Sequence, residues 1–287
     1  MKKLSESTVI ICGIVRNAEY GLIHNIPVIN KFTSLCKNYQ IFIYENDSID
    51  KTKELLNSWK QKYPQNIFIQ SNNIDSSNTI PPPQKQHKVN PFFSHKRIDK
   101  MASLRNNYMQ HLNNLDMQAD YVMVVDLDVA QLYLEGILSS FNSKMEWDAV
   151  CANGYSLSPK LRRRYHDTYA LTLWEERDEP QTEEKIKKYA DLFGKLKEND
   201  NWVRIASGFG GLAIYKYEAI KGLFYAVPAL KNDDSRVEVK CEHFSLYKEM
   251  IKRGFTHFYI NPAMTLKYQK LSLDIIKKSL MRKIFGN

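Results

Sequence analysis

The feature that most constrains the fold of this chain is a regular alternation of short apolar runs with amphipathic stretches through its first half. Strand-like apolar runs lie at 9–15, 40–44, 67–70 and 121–125, and helical patterns lie between them at 18–35, 52–62 and 97–115. Strands that alternate with helices indicate a largely parallel sheet with helices on its faces. A chain of 287 residues can bury the core of such an α/β domain without disulfide bonds or structural metals.

The second half continues the pattern less regularly. Strands are predicted at 147–152 and 256–260, with a glycine-containing strand segment at 203–215 and a helix at 244–253. The densely charged stretch 160–201 predicts helices outside the sheet, and the polar stretch 71–95, which contains three consecutive prolines, predicts a flexible loop. We therefore expect one domain over residues 1–266, followed by a tail over residues 267–287.

Basic residues are concentrated in that tail. The chain has a formal net charge of +9, and the tail carries more than half of the excess. On a helix, Leu273, Ile276 and Leu280 would share one face with Lys278 and Arg282 opposite, which suits either an anionic membrane surface or packing against the domain. Because the excess charge belongs mostly to the tail, we expect no nucleic-acid partner.

Cysteine usage and hydropathy predict a cytoplasmic location. The four cysteines have neither metal-binding nor redox spacing, so we expect reduced thiols. The apolar run behind the basic N-terminus is shorter than a signal-peptide core, and no segment approaches the roughly 20 apolar residues that span a bilayer. Peripheral attachment to the inner face of the cytoplasmic membrane through the tail is compatible with this expectation.

Two carboxylates, Asp126 and Asp128, directly follow the apolar strand at 121–125. Residues i and i+2 of a strand project to the same side, and ligands bind beyond the carboxyl ends of parallel strands. Two crowded carboxylates favour a hard divalent cation, Mg²⁺ or Mn²⁺, whose coordination shell phosphate oxygens can complete. Alternatively, Asp128 caps a following helix and Asp126 is a turn residue.

Polar residues also follow the first two strands. Arg16 and Asn17 come directly after the first strand, and Glu45 and Asp47 come after the second. Asp50 in the same turn would cap the next helix, but that local role does not explain Glu45 or Asp47. We expect all four residues to lie at the edge of the sheet that carries the two aspartates and to contact the substrate.

The helix before the acidic strand carries a guanidinium group on its apolar face. The apolar positions of this helix are Ile98, Met101, Tyr108, Met109 and Leu112. Arg105 falls in the middle of that stripe and Arg97 near its edge. A buried guanidinium is costly unless it is paired with an anion. The anion is either a protein carboxylate or the diphosphate of a ligand.

Two further segments offer candidate site residues. Gly210 and Gly211 would let the backbone approach a ligand closely, although a strand bulge would use glycines in the same way. Glu242 and His243 open the helix at 244–253. Glu242 either complements the helix dipole or acts as a general base, and His243 is either an ordinary part-buried histidine or a third metal ligand.

In chain order, the segments VRN, ENDSIDKT, RIDKMASLRN, VVDLDV, SGFGGLAIY and CEHFSLYKEMIKRGFTHFYINP resemble nucleotide-sugar glycosyltransferases with the GT-A fold. The resemblance is nearest to the fungal capsule-associated and yeast Golgi α-mannosyltransferases and their bacterial relatives, and it spans most of residues 9–265. It implies a single α/β domain of the GT-A (Rossmann-like) type, with a mostly parallel central sheet flanked by helices. In that fold, residues 160–201 would be an insertion on the acceptor side.

The resemblance also implies roles for the acidic residues. Asp126 and Asp128 would bind Mn²⁺ or Mg²⁺ together with the diphosphate of the sugar nucleotide, and Asp128 is the firmer of the two assignments. Glu45 and Asp47 would face the nucleoside.

The remaining roles concern the arginines and the start of the last helix. Arg97 and Arg105 would approach the phosphates or the donor sugar. Glu242 stands where inverting relatives have their base, whereas His243 stands where some retaining relatives have a metal-binding histidine. This sequence carries both residues, so the stereochemical outcome stays open.

The expected activity is metal-dependent transfer of a sugar from a nucleoside-diphosphate sugar to a hydroxyl of a glycan or lipid-linked acceptor, in the synthesis of bacterial surface polysaccharide. A sugar-phosphate nucleotidyltransferase would share the sheet and the paired acids. Such an enzyme normally has a glycine-rich, basic loop after its first strand, where ICGIVRNAEY has a single glycine. A non-enzymatic module that binds polyanions or membrane surfaces would explain the charge but not the acids.

Overall fold

The structure, a computed structural model, describes residues 2–74, 90–158, 161–228 and 236–270. These residues form strands β1 (Thr8–Val15), β2 (Asn38–Asn46), β3 (Ile67–Asn72), β4 (Tyr121–Val125), β5 (Gln131–Leu132), β6 (Ala149–Leu157), β7 (Arg163–Tyr165), β8 (Thr172–Leu173), β9 (Val203–Ser207), β10 (Leu212–Lys216) and β11 (Phe258–Lys267). They also form helices α1 (Glu19–Thr33), α2 (Thr52–Lys62), α3 (His95–Asn114), α4 (Leu134–Asn142), α5 (Glu183–Phe193), α6 (Tyr217–Ile220) and α7 (Glu242–Lys252).

The strands join into one sheet with the order β3-β2-β1-β4-β10-β6-β11-β9-β8. Strands β3, β2, β1 and β4 pair in parallel, and β11 pairs in parallel with β6. Strand β10 runs antiparallel to both of its neighbours, β4 and β6. Strands β1 to β4, β6 and β11 therefore point in one direction, whereas β9 and β10 run the opposite way. The carboxyl ends of the first group share one edge of the sheet with the amino end of β10.

Helices cover both faces of this sheet. Strand β1 shows why: Ile10 and Cys12 pack into the core beneath α3 and α7, whereas Val9 and Ile11 pack into the core beneath α1, α2 and α4. Because residues of a strand alternate between the two faces, a strand buried on both sides needs a continuous apolar run. The predicted single α/β domain with a mostly parallel sheet flanked by helices is confirmed.

The charged stretch 160–201 was predicted to be helical, and this prediction is wrong for much of its length. Its described part forms the short strands β7 and β8 as well as the helix α5. Strand β7 pairs with β6, and β8 pairs with β9 at the end of the sheet. Charged side chains dominate the local sequence pattern there, whereas pairing with distant strands decides the backbone conformation.

Two predicted strand boundaries also differ from the structure. The glycine-containing segment 203–215 forms two strands, β9 and β10, which are not neighbours in the sheet. Strand β11 continues past Pro262 to Lys267, with an irregularity in its pairing to β6 between Asn261 and Thr265. Proline lacks the N–H that a regular ladder uses, and the irregularity accommodates it.

The loop and the tail predicted from sequence lie partly outside the described residues. The two ends of the predicted loop 71–95 belong to regular elements, because β3 includes Ser71 and Asn72 and α3 begins at His95. Residues 75–89 of that loop and residues 271–287 of the tail lie outside the described residues. None of the described helices is long and apolar enough to cross a membrane.

Candidate active site

An open pocket of about 420 Å³ lies where α3 and α7 begin, beside the turn that follows β4. Among the side chains that line it are the predicted site residues Arg97, Arg105, Asp126, Glu242 and His243. The end of β4 and the starts of α3 and α7 meet there because each of these two helices leads into a strand of the parallel set. The fold therefore brings together residues that are far apart in the chain.

Arg105 is the buried centre of this pocket. Its Nε donates a hydrogen bond of 3.0 Å to Oε1 of Glu242, and its Nη1 lies 3.8 Å from Oδ1 of Asp126. Nη1 is buried and has no hydrogen-bond partner within the described part of the chain. The guanidinium also lies over the ring of Phe209, with its Cζ 4.8 Å from the ring centroid. The anion predicted for Arg105 is therefore a protein carboxylate, that of Glu242, and Nη1 of Arg105 is left without a hydrogen-bond acceptor among the described residues.

Glu242 and His243 are buried at the first turn of α7. Burial and the nearby Arg105 lower the pKa of His243 to about 3, so its ring is neutral. Burial alone would raise the pKa of Glu242, and positive charge at His243 or Arg105 would lower it. Because His243 is neutral, Arg105 is the partner that holds Glu242 ionised, with a pKa below its ordinary value. The second oxygen of Glu242, Oε2, accepts a hydrogen bond of 3.1 Å from the Cys241 thiol.

Asp126 is held by two groups from distant parts of the chain. Oδ2 accepts a hydrogen bond of 3.0 Å from the hydroxyl of Tyr268, and Oδ1 lies near Arg105. Its backbone N–H donates to the carbonyl of Gly211 at 2.9 Å. Burial raises the pKa of Asp126 and outweighs the opposing effects of Arg105 and Tyr268. These contacts fix the position of the carboxylate at the pocket wall.

Asp128 is exposed, in contrast to Asp126. Although its side chain reaches solvent, the protein packed around it desolvates the carboxylate, and this effect and the repulsion of Asp126 raise its pKa above the ordinary value. The alternative that Asp128 caps the following helix is wrong, because β5 intervenes and α4 begins at Leu134 with Tyr133 as its N-cap. Neither carboxylate of the pair is therefore used to cap a helix.

The turn that carries both aspartates rests directly on α1. A Cβ atom at Gly21 would lie 2.2 Å from the carbonyl oxygen of Leu127, so glycine is required for this close approach. The side chain of Asn25 donates to the carbonyl of Val129 at 2.7 Å and accepts from the N–H of Leu132 at 2.9 Å. Helix α1 thereby fixes the backbone from which the carboxylates project.

A divalent cation fits part of this donor set. Asp126 and Asp128 offer carboxylate oxygens, which Mg²⁺ and Mn²⁺ prefer. Both ring nitrogens of His243 are buried and lack a hydrogen-bond partner among the described residues. No three histidine, cysteine or acidic side chains within the described ranges converge as a metal cluster. The predicted set of Asp126, Asp128 and His243 is therefore not assembled as a three-ligand site, and phosphate oxygens would have to complete the coordination of a cation.

The acidic residues at the end of β2 make contacts within the protein. The carboxylate of Glu45 is fully buried, where it accepts hydrogen bonds from the backbone N–H of Ser48 at 2.8 Å and from the hydroxyl of Ser71. Oδ1 of Asp47 accepts from the N–H of Ile74 at 2.7 Å. Neither residue lines the pocket described above. Their predicted contact with the nucleoside stays a prediction.

Arg16 and Asn17 lie beside that turn, at the end of β1. The backbone N–H of Asn17 donates to the hydroxyl of Ser48 at 3.0 Å, and its side-chain oxygen accepts from Ile49 at 2.9 Å. Arg16 is exposed. These contacts join the turns after β1 and β2, as expected from their shared edge, and neither residue lines the pocket.

Gly210 and Gly211 form the turn before β10. Both have positive φ angles, 66° and 89°. A Cβ at Gly210 would lie 2.2 Å from the carbonyl oxygen of Ala152, and one at Gly211 would press on the ring of Tyr268. The alternative of a purely structural use of these glycines accounts for both positions, because each packs against protein backbone or side chain.

The pocket residues that were not identified from the sequence include three with polar side chains at its wall, His166, Asp167 and Tyr268. The ring of His166 stacks on Tyr268 with centroids 3.3 Å apart. Tyr268 lies in the segment assigned to the tail. His166 and Asp167 lie in the charged stretch 160–201, where the many charged residues gave no reason to single them out. A positive φ of 63° distinguishes Asp167, but no sequence signal reveals this conformation.

Several solved structures resemble this chain at low sequence identity. The mannosyltransferase PcManGT from Pyrobaculum calidifontis, in complex with GDP-Man and Mn²⁺, is 11% identical, with a TM-score of 0.45, over 91% of this chain and 56% of that chain. Glucosyl-3-phosphoglycerate synthase from Mycobacterium tuberculosis, in complex with Mn²⁺ and UDP-glucose, is 12% identical, with a TM-score of 0.45, over 97% and 77%. The 4-diphosphocytidyl-2C-methyl-D-erythritol synthase from Anaerococcus prevotii is 10% identical, with a TM-score of 0.43, over 97% of both chains.

Comparison of sequences gives a more specific result. Among curated proteins, none matches this sequence. A family model described as Cryptococcal mannosyltransferase 1 matches residues 9–244, which is most of the chain. The match includes the turns that follow β1 and β2, the paired aspartates, Arg105 and the start of α7. The chain therefore belongs to the Cryptococcal mannosyltransferase 1 family of glycosyltransferases.

Proposed function

We propose that this protein is a metal-dependent glycosyltransferase that moves a sugar from a nucleoside-diphosphate sugar to a hydroxyl of a glycan or lipid-linked acceptor. Membership of a mannosyltransferase family supports the sugar transfer. The observation that carries the rest is the buried Arg105, whose unpartnered Nη1 lies beside Asp126 at the wall of an open pocket. A buried N–H donor without a partner is costly, and a phosphate oxygen would satisfy it.

Each element of the pocket has a role in this proposal. Asp126 and Asp128 would hold Mn²⁺ or Mg²⁺, which when bound neutralises charge that develops on the leaving diphosphate. Arg105 would bind a phosphate oxygen through Nη1, and Arg97, at the pocket rim, would add a second positive charge. Glu242 accepts a hydrogen bond from Nε of Arg105 and would thereby orient the guanidinium toward the phosphates.

The reaction is a substitution at the anomeric carbon of the donor sugar. The oxygen of the acceptor hydroxyl forms a bond to that carbon, the bond from the carbon to the diphosphate breaks, and its electron pair leaves with the nucleoside diphosphate. The hydroxyl proton passes to Glu242 if the enzyme inverts, or to the leaving phosphate if it retains. The engagement of both Glu242 oxygens by Arg105 and Cys241 favours the second route.

The donor can be identified by thermal unfolding with a panel of GDP-, UDP- and CMP-sugars, each with and without Mn²⁺. A ligand at 100 times its dissociation constant stabilises the folded state by about 2.7 kcal/mol. We expect GDP-mannose with Mn²⁺ to give the largest shift, since the family model describes a mannosyltransferase. Absence of a shift with every sugar nucleotide would contradict the proposal.

The Asp128→Ala substitution tests the metal. We expect it to abolish Mn²⁺-dependent binding of the donor in isothermal titration calorimetry, while the unfolding temperature changes little because Asp128 is exposed. Asp191→Ala is the matched control, since Asp191 is an exposed carboxylate on α5 outside the pocket. Undiminished donor binding by Asp128→Ala would remove the metal from the proposal.

The reaction product separates this proposal from a nucleotidyltransferase. A glycosyltransferase releases a nucleoside diphosphate from a sugar nucleotide, whereas a nucleotidyltransferase releases pyrophosphate from a nucleoside triphosphate.

We further propose that the acceptor belongs to a bacterial surface polysaccharide and that the enzyme works on the cytoplasmic side of the membrane. The basic tail supports that location, because polybasic segments bind anionic lipid surfaces.

A further inference from the structure

We infer that Asp167 binds the attacking hydroxyl of the acceptor in the reaction proposed above, on which this inference rests. Asp167 lies in the turn after β7 and lines the same pocket as Arg105, Asp126 and Glu242. It would contact the acceptor directly, as a hydrogen-bond acceptor for the sugar hydroxyl.

The state of its carboxylate distinguishes Asp167 from the other acids of the pocket. Both oxygens of Glu242 accept hydrogen bonds, from Arg105 and Cys241, and Asp126 accepts one from Tyr268. Within the ranges that the structure describes, the carboxylate of Asp167 takes part in no hydrogen bond and no salt bridge. It is therefore the acid of this pocket that is available to a ligand.

The turn that carries Asp167 is fixed on both sides. The N–H of His166 donates to the carbonyl of Gly154 at 2.8 Å, and its Nδ1 lies 2.8 Å from the hydroxyl of Ser156. On the other side, the hydroxyl of Tyr169 donates to the carbonyl of Val239, and Gln181 donates to the carbonyl of Tyr169 at 2.8 Å. A binding group held by packed neighbours loses little conformational entropy when its ligand arrives.

The backbone conformation points to a need for the side chain. Asp167 has a φ of 63°, in the left-handed region that glycine adopts without a steric cost. Its carbonyl accepts from the N–H of Ala170 at 3.1 Å, which closes the turn. Glycine would form this turn with less strain, so the presence of a carboxylate there suggests a use beyond the turn.

Charge assigns this carboxylate to the acceptor and not to the donor phosphates. A carboxylate repels a diphosphate, and the pocket already offers Arg105 and Arg97 to bind one. Sugar hydroxyls donate hydrogen bonds that carboxylate oxygens accept. Asp167 therefore matches the part of the reaction that carries hydroxyl groups, which is the acceptor.

The test uses GDP-mannose and Mn²⁺, with water and methyl α-mannoside as the attacking hydroxyl compounds. Asp167→Asn keeps the shape and the tolerance of a positive φ, whereas Asp167→Gly keeps the turn and removes the side chain. We expect both variants to bind the donor within about twofold of the wild-type affinity and to release GDP about tenfold or more slowly, through loss of the carboxylate that binds the attacking hydroxyl. Asp191→Asn, an exposed acid on α5, should leave both quantities unchanged.

The outcomes distinguish this inference from the proposed function. A fully active Asp167→Gly would overturn the inference, because the turn alone would then suffice. A fully active Asp167→Asn would overturn the assignment to the carboxylate, because an amide oxygen would then serve equally well. Loss of donor binding in both variants would also overturn it, by placing Asp167 on the donor side. In another outcome, the wild-type protein binds the donor yet releases GDP with neither water nor methyl α-mannoside. That result would contradict a carboxylate placed to hold a hydroxyl. A wild-type protein that binds no sugar nucleotide would instead refute the proposed function.

Discussion

Arg105 is the residue on which the arrangement of the pocket depends. Its guanidinium lies between Glu242 and Asp126 and is buried against Phe209. A buried ion pair gains little over a well-packed apolar pair, because desolvation offsets the Coulomb attraction. Removal of one partner is costly, since it leaves the other charge buried and unpaired. The fold therefore tolerates this pair only while both members are present, which is consistent with a functional reason for keeping it.

A double-mutant cycle at Arg105 and Glu242 tests this view. We expect Arg105→Met and Glu242→Leu each to lower the free energy of unfolding in urea by about 3–5 kcal/mol, because each strands a buried charge. The double substitution should cost clearly less than the sum of the two single substitutions.

Lys252→Ala provides the control for this cycle. Its ammonium lies 2.6 Å from Glu249 on the exposed surface of α7, and such pairs contribute about 0–1 kcal/mol. Additive losses at Arg105 and Glu242 would show that the two side chains do not act as a pair.

At the scale of elements, Asp148 joins three segments at the opposite end of the sheet from the pocket. It precedes β6, and its Oδ1 accepts a hydrogen bond of 2.9 Å from Lys216 at the end of β10. Its Oδ2 accepts from the N–H groups of Thr256 and His257, both at 3.0 Å, just before β11. One buried carboxylate thus ties together the ends of three neighbouring strands.

The pKa of Asp148 predicts a pH dependence of stability. Burial alone would raise this pKa, but the hydrogen bonds from His257, Lys216 and Thr256 outweigh burial and hold it below the ordinary value. The stability that Asp148 contributes is therefore present above pH about 4, the pKa of an aspartate in the unfolded chain, and is lost as the pH falls further. We expect Asp148→Asn to lower the free energy of unfolding at pH 6 by about 1.5–3 kcal/mol.

This difference from the wild type should shrink when unfolding is measured at pH values below about 4, where the wild-type carboxylate also loses its charge. Asp191→Asn is a suitable control, because the Asp191 side chain is 72% exposed and its ion pair is screened by solvent. An Asp148→Asn variant whose deficit stays constant down to the acid limit would contradict the assigned hydrogen bonds.

At the scale of the whole molecule, Tyr268, near the end of the described chain, forms part of the pocket wall. The N–H of Tyr268 donates to Tyr155 at 2.9 Å, its carbonyl accepts from Ala130 at 3.2 Å, and its hydroxyl binds Asp126. The domain therefore extends beyond the predicted boundary at residue 266.

Truncation tests that boundary and the proposed membrane contact together. A chain that ends after Lys270 should keep the thermal stabilisation by GDP-mannose and Mn²⁺ but lose co-sedimentation with anionic lipid vesicles, since it lacks the basic residues Lys277, Lys278, Arg282 and Lys283. A chain that ends after Leu266 should lose both, because it lacks Tyr268.

Tyr268→Phe in the full chain controls for misfolding of the shorter truncation, since it removes the hydroxyl that binds Asp126 and keeps the ring. Vesicle binding that persists after removal of residues 271–287 would contradict a role of the tail at the membrane. Loss of donor stabilisation in the chain that ends after Lys270 would contradict the proposed independence of the pocket from the tail.

The sequence by itself determined the elements whose pattern is local. Strands β1 and β4 and helices α2 and α3 follow from apolar periodicity, because the spacing of apolar residues that marks a helix or a buried strand is visible within one short segment. The same periodicity placed Arg105 on the buried face of α3, and the end of β4 placed Asp126 and Asp128 at the sheet edge. These residues were predictable because their environment depends on neighbours within the same element.

Only the tertiary structure decided which groups meet across the pocket. Glu242 lies 137 residues from Arg105 in the chain, and Tyr268 lies 142 residues from Asp126. The conformation of Asp167 and the course of β11 past Pro262 also depend on strands that are distant in sequence. Such contacts are set by strand order and register, which local patterns do not encode, because any strand with the same periodicity can pair with several neighbours. For this reason the sequence identified the buried charge, and the fold alone supplied its partner.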